Sequence, residues 1–150
     1  PLFCLLLMIE KIKIKLPLTK ELKKRIDKEE KNIGVGSILR WEGFYIFLIN
    51  ANHSIKEWSF PTGKVEKNEL PEQAIIREIK EETNLNAEII KKLYILKPTN
   101  IPNSEIIIYE CKGKGAPVPA KDIESLGIFR VPPSNLNKIC QKILKKMSID

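Results

Sequence analysis

The stretch Gly63-Lys-Val-Glu-Lys-Asn-Glu69-Leu-Pro71-Glu-Gln-Ala74-Ile75-Ile76-Arg77-Glu78-Ile79-Lys80-Glu81-Glu82-Thr83-Asn84-Leu85 decides the reading of this chain. Pro71 suits a first helical position and good helix formers follow it, which predicts a helix over Pro71 to Thr83. At about 100° per residue, Glu78, Glu81 and Glu82 fall within an arc of roughly 100° that also holds Ala74. Three carboxylates are thus expected to converge beside a small side chain. Ile75, Ile76 and Ile79 occupy the adjacent arc and are expected to anchor the helix to a sheet, which puts the acidic patch at the border of the core. Like charges at i,i+3 and i,i+4 each cost a few tenths of a kcal/mol, a cost that a bound divalent cation removes. Carboxylate oxygens with no softer ligand nearby select Mg²⁺ or Mn²⁺ over Zn²⁺. Arg77, one turn before Glu81 and within reach of Glu69, is expected to orient the carboxylates.

Outward from this helix, Val35 to Trp41 and Phe44 to Asn50 read as strands joined by a Glu42-Gly43 hairpin turn. A loop is expected after Pro61-Thr62-Gly63. Ala87 to Leu96 and Glu105 to Lys112 read as further strands, the second mid-sheet, followed by a loop over Gly113 to Lys121 and a last strand over Ile123 to Val131. Ser134 is expected to cap a C-terminal helix with Leu136, Ile139, Cys140, Ile143, Leu144 and Met147 on one face. Near the N-terminus, Ile9 to Leu16 alternates apolar and Lys residues as a strand would, Pro17 ends it, and Thr19 caps a charged helix over about 19–30. Strands on both sides of a central helix, with a second helix at the end, imply an α/β layered domain.

Length and composition agree with one domain. The chain has 150 residues, 43% hydrophobic and 30% charged. Its longest apolar stretch, Pro1 to Ile9, is far short of the roughly 20 residues a membrane helix needs, and it lacks the flanks of a signal peptide. A cytoplasmic protein with no membrane partner is expected. Residues 1–7 are set aside as an extended start ahead of Met8, 8–32 as an N-terminal extension and 33–150 as the domain. Cys4, Cys111 and Cys140 are odd in number and lack metal-ligand spacing, so reduced thiols are expected, two of them in the core. The net charge of +7 favours an anionic partner such as a nucleotide, a polyphosphate or RNA.

The quoted stretch resembles the Nudix box, G-x5-E-x7-R-E-U-x-E-E-x-G-U with U a bulky aliphatic, through Gly63, Glu69, Arg77, Glu78, Ile79, Glu81, Glu82 and Leu85. Asn84 stands where the family has its second glycine. That position needs a left-handed backbone, for which Asn is the best replacement, so the departure costs little. Trp58-Ser-Phe60-Pro61 resembles the family's lead-in, although packing under the loop is the better account of both aromatic rings. The resemblance implies the Nudix fold, an α/β/α sandwich with a mixed β-sheet.

It also implies Mg²⁺- or Mn²⁺-dependent hydrolysis of a nucleoside diphosphate linked to another moiety. Glu78, Glu81 and Glu82 would hold the metal, with the Gly63 carbonyl as a further ligand, and Glu69 and Arg77 would brace them. For a general base outside the box the candidate is Glu124, with Glu105 and Glu110 behind it. Lys64, Arg40 and Arg130 are candidate phosphate contacts. The Phe60-Pro-Thr-Gly-Lys lead-in resembles that of diadenosine polyphosphate hydrolases and RNA-decapping members, so a dinucleoside polyphosphate or a 5′-phosphorylated RNA end ranks first. A housecleaning nucleoside triphosphate pyrophosphatase comes next and ADP-ribose or another nucleotide sugar third. The reading from another class is a non-catalytic nucleotide- or RNA-binding module.

Overall fold

The computed structural model describes residues 32–99 and 101–147. The strand and helix expected over residues 9–30, and Cys4, lie outside the described residues. The elements run β1 (Asn32–Trp41), β2 (Phe44–Asn50), β3 (Thr62–Lys64), α1 (Pro71–Thr83), β4 (Asn86–Leu96), β5 (Ser104–Lys114), β6 (Ile123–Phe129) and α2 (Lys138–Met147). The sheet order is β4-β5-β1-β2-β6, with β3 on β1. β1 and β5 are parallel and the other pairs antiparallel, so the sheet is mixed.

β1 organises this sheet. One of its edges is taken by β5 over the whole of Asn32 to Arg40, while the other is shared between β3, at Gly34 to Gly36, and β2, at Leu39 to Trp41. The hairpin between β1 and β2 turns on Glu42 (φ 51°) and Gly43 (φ 82°), the two positive φ angles whose twist matches that of paired strands. β5 has neighbours on both edges, which is why Ile107, Ile108 and Tyr109 are buried.

Each face of the sheet carries a helix. α1 lies over Val35, Leu39, Ile46 and Tyr109, into which it inserts Ala74, Ile75 and Ile79, all 0% exposed. Removing an isoleucine side chain from water stabilises by about 2 kcal/mol, and the Ala74 methyl by less. Ile76 departs from expectation: it is 40% exposed. It sits a further 100° around the helix from Ile75, past the stripe the sheet covers, beside Lys80 and Ala87 in an open groove between α1 and β4. On the opposite face, α2 packs Leu136, Cys140 and Ile143 against Ile38, Phe47 and Ile108. The outcome is the three-layer α/β/α sandwich.

Several local expectations need correction. The loop expected after Gly63 starts beyond Lys64, because Thr62 to Lys64 is a short strand, unassigned from the sequence, whose backbone pairs with Gly34 to Gly36. β5 continues to Lys114, paired with Asn86, so the loop begins later than Gly113. The cap of α2 is Asn137, whose Oδ1 accepts the Ile139 N–H at 2.9 Å, rather than Ser134. Segment 135–137 is instead held extended: Trp58 N–H donates to Asn135 O and Asn137 N–H to Trp58 O. Ile139 consequently faces outward, 43% exposed. Cys111 and Cys140 are reduced thiols buried in the core, as expected.

Asn84 ends α1 with φ 65° and ψ 4°, its N–H donating to Lys80 O, and its side chain donates to Ala116 O at 3.3 Å. Asn84→Ala is expected to lower the unfolding free energy by about 1 kcal/mol, the cost of a Cβ in the left-handed region. Asn84→Gly, which loses the exposed side-chain bond but relieves the backbone, should stay within about 0.5 kcal/mol of the parent. Denaturant titration of both variants checks this; equal losses would contradict it.

Candidate active site

Three connections bring the box together. β3 is laid along β1 by Ser37 N–H to Pro61 O and Val65 N–H to Ile33 O, which fixes Gly63 beside α1. Leu70 N–H donates to the Gln73 side chain at 2.9 Å, starting the helix where Pro71 can no longer donate. At the other end, Val118 N–H donates to Thr83 O (2.8 Å) and Ala120 N–H to Glu82 O (3.1 Å), so the loop after β5 satisfies the last carbonyls of α1. Trp41 Nε1–H holds that loop through Gly115 O at 2.8 Å.

Arg77 is the hub. Its guanidinium grips Glu69 in a fork, Nε to Oε2 at 2.7 Å and Nη2 to Oε1 at 3.0 Å. Nη1 donates to Glu78 Oε1 at 2.9 Å and, more weakly, to Glu81 at 3.3 and 3.4 Å. Nη2 also donates to Lys64 O at 3.0 Å, and Glu66 stands 3.7 Å from Nη1. Glu69 in turn accepts the Glu66 N–H. The planar fork suits this work, because one side chain meets several oxygens in a fixed geometry. The expected role of Arg77 as an organiser of carboxylates therefore corresponds to a complete set of bonds, while Lys64 O and Glu66 are partners the sequence reading missed.

The three helix glutamates sit differently. Glu78 is folded against the Gly63 backbone so closely that a Cβ on Gly63 would meet its carboxyl carbon at 2.0 Å. Glycine is required here by close approach and not by a turn. Glu82 turns inward, and its Oε1 accepts the Thr62 N–H at 3.2 Å. Glu81 is the most exposed, and its bonds to Arg77 are long, 3.3 and 3.4 Å. Among the described residues, no three Asp, Glu, His or Cys side chains close on one point. The expected convergence is one of helix face; Arg77 Nη1 stands between Glu78 and Glu81.

The charges respond to this crowding. Burial, then the Glu78 charge, push the Glu82 carboxyl up to about 8 against the pull of the Thr62 N–H, with Asp122 and Glu81 adding to the rise. Burial also raises Glu78 despite Arg77, whereas the Arg77 hydrogen bond holds Glu69 low. Glu82 and Glu78 thus resist carrying negative charge without a cation beside them. Hard oxygen donors of this kind, next to a glycine cradle, fit a divalent cation such as Mg²⁺.

The other sequence candidates are held by partners outside the box or lie beside it. Arg40 alternates away from Leu39, onto the sheet face opposite α1, where it stacks 4.1 Å over Tyr45 and donates to Gly43 O. It is also about 13 Å along β1 from Gly36, which pairs with Thr62. Arg130 packs over Phe44. Glu124 sits at an irregularity in β6 and pairs with Lys56 at 3.6 Å, and Glu105 pairs with Lys97. The acid outside the box whose charge reaches Glu82 is Asp122, carried by the loop that caps α1. No motif marks Asp122; only the path of that loop does. Lys64 is exposed beside Gly63, while Phe60 is buried and Trp58 stacks edge-on against Phe129, both as packing side chains.

Two outcomes follow for the cation-free protein. Glu82 binds its proton more tightly folded than unfolded, so its stabilising share is full below about pH 4.5 and is lost as pH rises through about 8. Thermal melts without divalent cation should fall between pH 5 and 8.5, and Glu82→Gln should flatten that fall; an unchanged slope in the variant would contradict the burial of Glu82. Gly63→Ala should displace Glu78 and weaken divalent-cation binding at least tenfold, measured by calorimetry.

The chain matches the family model of the NUDIX domain over residues 30–147. Its fold is shared with a NUDIX hydrolase from Nitrosomonas europaea, with TM-score 0.70, 22% identity, and coverage of 78% of this chain and 69% of that one. A MutT NUDIX hydrolase from Burkholderia pseudomallei superposes with TM-score 0.65 at 24% identity, covering 78% of this chain and 98% of the other. An ADP-ribose pyrophosphatase from Streptococcus suis gives TM-score 0.62 at 17% identity, covering 80% and 93%. With the family model spanning all of the described residues and the box assembled around Arg77, this chain belongs to the Nudix hydrolase family.

Proposed function

We propose that the chain hydrolyses the diphosphate linkage of a nucleoside diphosphate derivative with Mg²⁺ or Mn²⁺ held by Glu78, Glu81 and Glu82, with the Gly63 carbonyl beside them. The single observation that carries this is the Arg77 network, which holds Glu69, Glu78 and Glu81 on one side of α1 while Glu82 stays inward with its proton affinity raised. A cluster kept together at that electrostatic cost is arranged for a cation. A cation held by these carboxylates would supply charge neutralisation of the diphosphate and lower the pKa of a water, so that the water loses its proton and its oxygen becomes the nucleophile toward phosphorus.

The protein's own part is positioning. Glu69 pins Arg77, Arg77 sets the rotamers of Glu78 and Glu81, and the Thr62 N–H sets Glu82. Lys64, exposed next to Gly63, is placed to meet a substrate phosphate. Glu124 remains the candidate general base outside the box, its half-exposed carboxylate paired through one oxygen with Lys56 at 3.6 Å.

For the substrate, the lead-in Phe60-Pro-Thr-Gly-Lys64 and the net charge of +7 favour a polyanionic one, a dinucleoside polyphosphate or a 5′-phosphorylated RNA end. ADP-ribose is the second reading, favoured by the likeness of fold to the Streptococcus suis ADP-ribose pyrophosphatase. The test is product chromatography with Mg²⁺ and a panel of diadenosine tetraphosphate, 5′-triphosphorylated RNA, ADP-ribose, 8-oxo-dGTP and dNTPs. Cleavage of either of the first two is expected. Cleavage of ADP-ribose alone would overturn the ranking, and nucleotide binding without any product would favour the non-catalytic module. Glu82→Gln and Glu81→Gln should each lower kcat at least 100-fold with little change in melting temperature in Mg²⁺-free buffer at pH 5; near-normal turnover in both would remove the metal assignment.

A further inference from the structure

The sheet ends on β4, and among the described residues Asn86 to Leu96 bonds to β5 and to no other strand. A strand edge of this kind offers its N–H and C=O groups to any extended segment that reaches it. Along the same edge the α1 layer leaves a groove of about 410 Å³, lined by Gln73, Ile76 and Lys80 of α1 and by Leu85 and Ala87 at the start of β4. Ile76 is 40% exposed in it. The ladder with β5 is regular from Asn86 to Ile89 and is then broken by bulges after Ile89 and after Lys92, so the first part of β4 is the part that can pair. Its two faces differ there. Ala87 and Ile89 pack toward α1, whereas Glu88, between them, points to the α2 side, opposite Lys112 of β5.

One segment of this chain carries the complementary pattern. In Ile9-Glu-Lys-Ile-Lys-Ile-Lys-Leu16, a period of two puts Ile12, Ile14 and Leu16 on one face and Lys11, Lys13 and Lys15 on the other. On the outer edge of β4, one orientation of such a strand suits both sides of the sheet. Its apolar face would lie over the groove against Ile76 and Ala87, and its lysines would lie on the α2 side, where Glu88 stands between them and Lys112. A one-residue slip would turn the lysines toward α1, so the faces themselves select the register. The connection is long enough. Asn32 begins β1 at the end of the sheet where β4 finishes, since Asn32 pairs with Ser104 and Leu96 with Ile106. From there the outer edge of β4 is three strand spacings across, about 14 Å, and Asn86 is about 33 Å along the sheet. Residues 17–31 reach about 50 Å when extended. We propose that Ile9 to Leu16 of the same chain forms a further strand on the free edge of β4 and closes the groove with Ile12, Ile14 and Leu16. β3 and β4 lie on opposite sides of β1, so the extension braces α1 on the side away from Gly63.

The test is hydrogen exchange on the full chain, read amide by amide by NMR over residues 9–16 and 86–90. In the parent, residues 9–16 and the amides of 86–90 that point away from β5 should exchange at least tenfold more slowly than an unstructured chain of the same sequence. Ile12→Asp with Ile14→Asp, which puts charge into the apolar face, should return residues 9–16 to the free-chain rate and speed those β4 amides at least tenfold. Ile76→Lys, which leaves the segment intact and alters only the groove, should do the same. Amides of β1 and β5 should keep their rates in both variants, the sign that the domain stays folded. Free-chain exchange of residues 9–16 in the parent would overturn the added strand. Protection of 9–16 that both variants leave unchanged, or that is lost without any response of β4, would place the segment elsewhere and overturn it equally. Tenfold dilution of the parent should leave the rates as they are; protection lost on dilution would give the edge to a second copy of the chain and overturn the pairing within one chain.

Discussion

One guanidinium keeps four carboxylates in register. Arg77 is bonded to Glu69, Glu78 and Glu81 and lies 3.7 Å from Glu66, while Lys64 O takes its remaining reach. Without it, Glu78 and Glu81 would repel each other from neighbouring turns and Glu69 would have no reason to close the loop onto the helix. The fork has a second consequence. Because Arg77 is itself shared among several acids, it neutralises none of them completely, and Glu78 and Glu82 keep an affinity for positive charge.

The remainder of the fold presents that arrangement. Ile75 and Ile79 fix the rotation of α1 on the sheet, so that Glu78 and Glu82 face β3 rather than solvent. β3 supplies the Thr62 N–H and the bare Gly63 backbone, and it sits there because β1 leaves half of one edge free of β2. The loop after β5 closes the other end of α1 and brings Asp122 close enough for its charge to act on Glu82. A helix stop, a short strand and a strapped loop thus converge on one side chain.

What was legible in the sequence was whatever depends on periodicity and spacing. The 3.6-residue pattern of Pro71 to Thr83 placed the helix, and Asn84 in the left-handed position showed that its departure from glycine is a matter of backbone shape. Contacts made by backbone atoms left no such trace. β3 is only three residues long and is held by pairing with β1, so it leaves no strand pattern in the sequence. Asn137 displaced Ser134 as the α2 cap because residues 135–137 are pinned extended to Trp58, a contact between segments about 80 residues apart. Arg40 looked available for phosphate because its strand was right, but the face of a side chain depends on register, and register put it on Tyr45. Ile76 was misplaced by a single 100° step at the rim of the buried stripe.

A cation bound among the α1 carboxylates held by Arg77 displaces the proton of Glu82 to solvent. The most direct test of this displacement is calorimetric titration of the protein with Mg²⁺ at pH 7 in buffers of different ionisation enthalpy. Release of close to one proton per cation bound is expected, because a carboxyl pushed up to about 8 is mostly protonated before binding, and that release should be lost in Glu82→Gln. Heats that do not depend on the buffer, or a proton release that survives in Glu82→Gln, would contradict it.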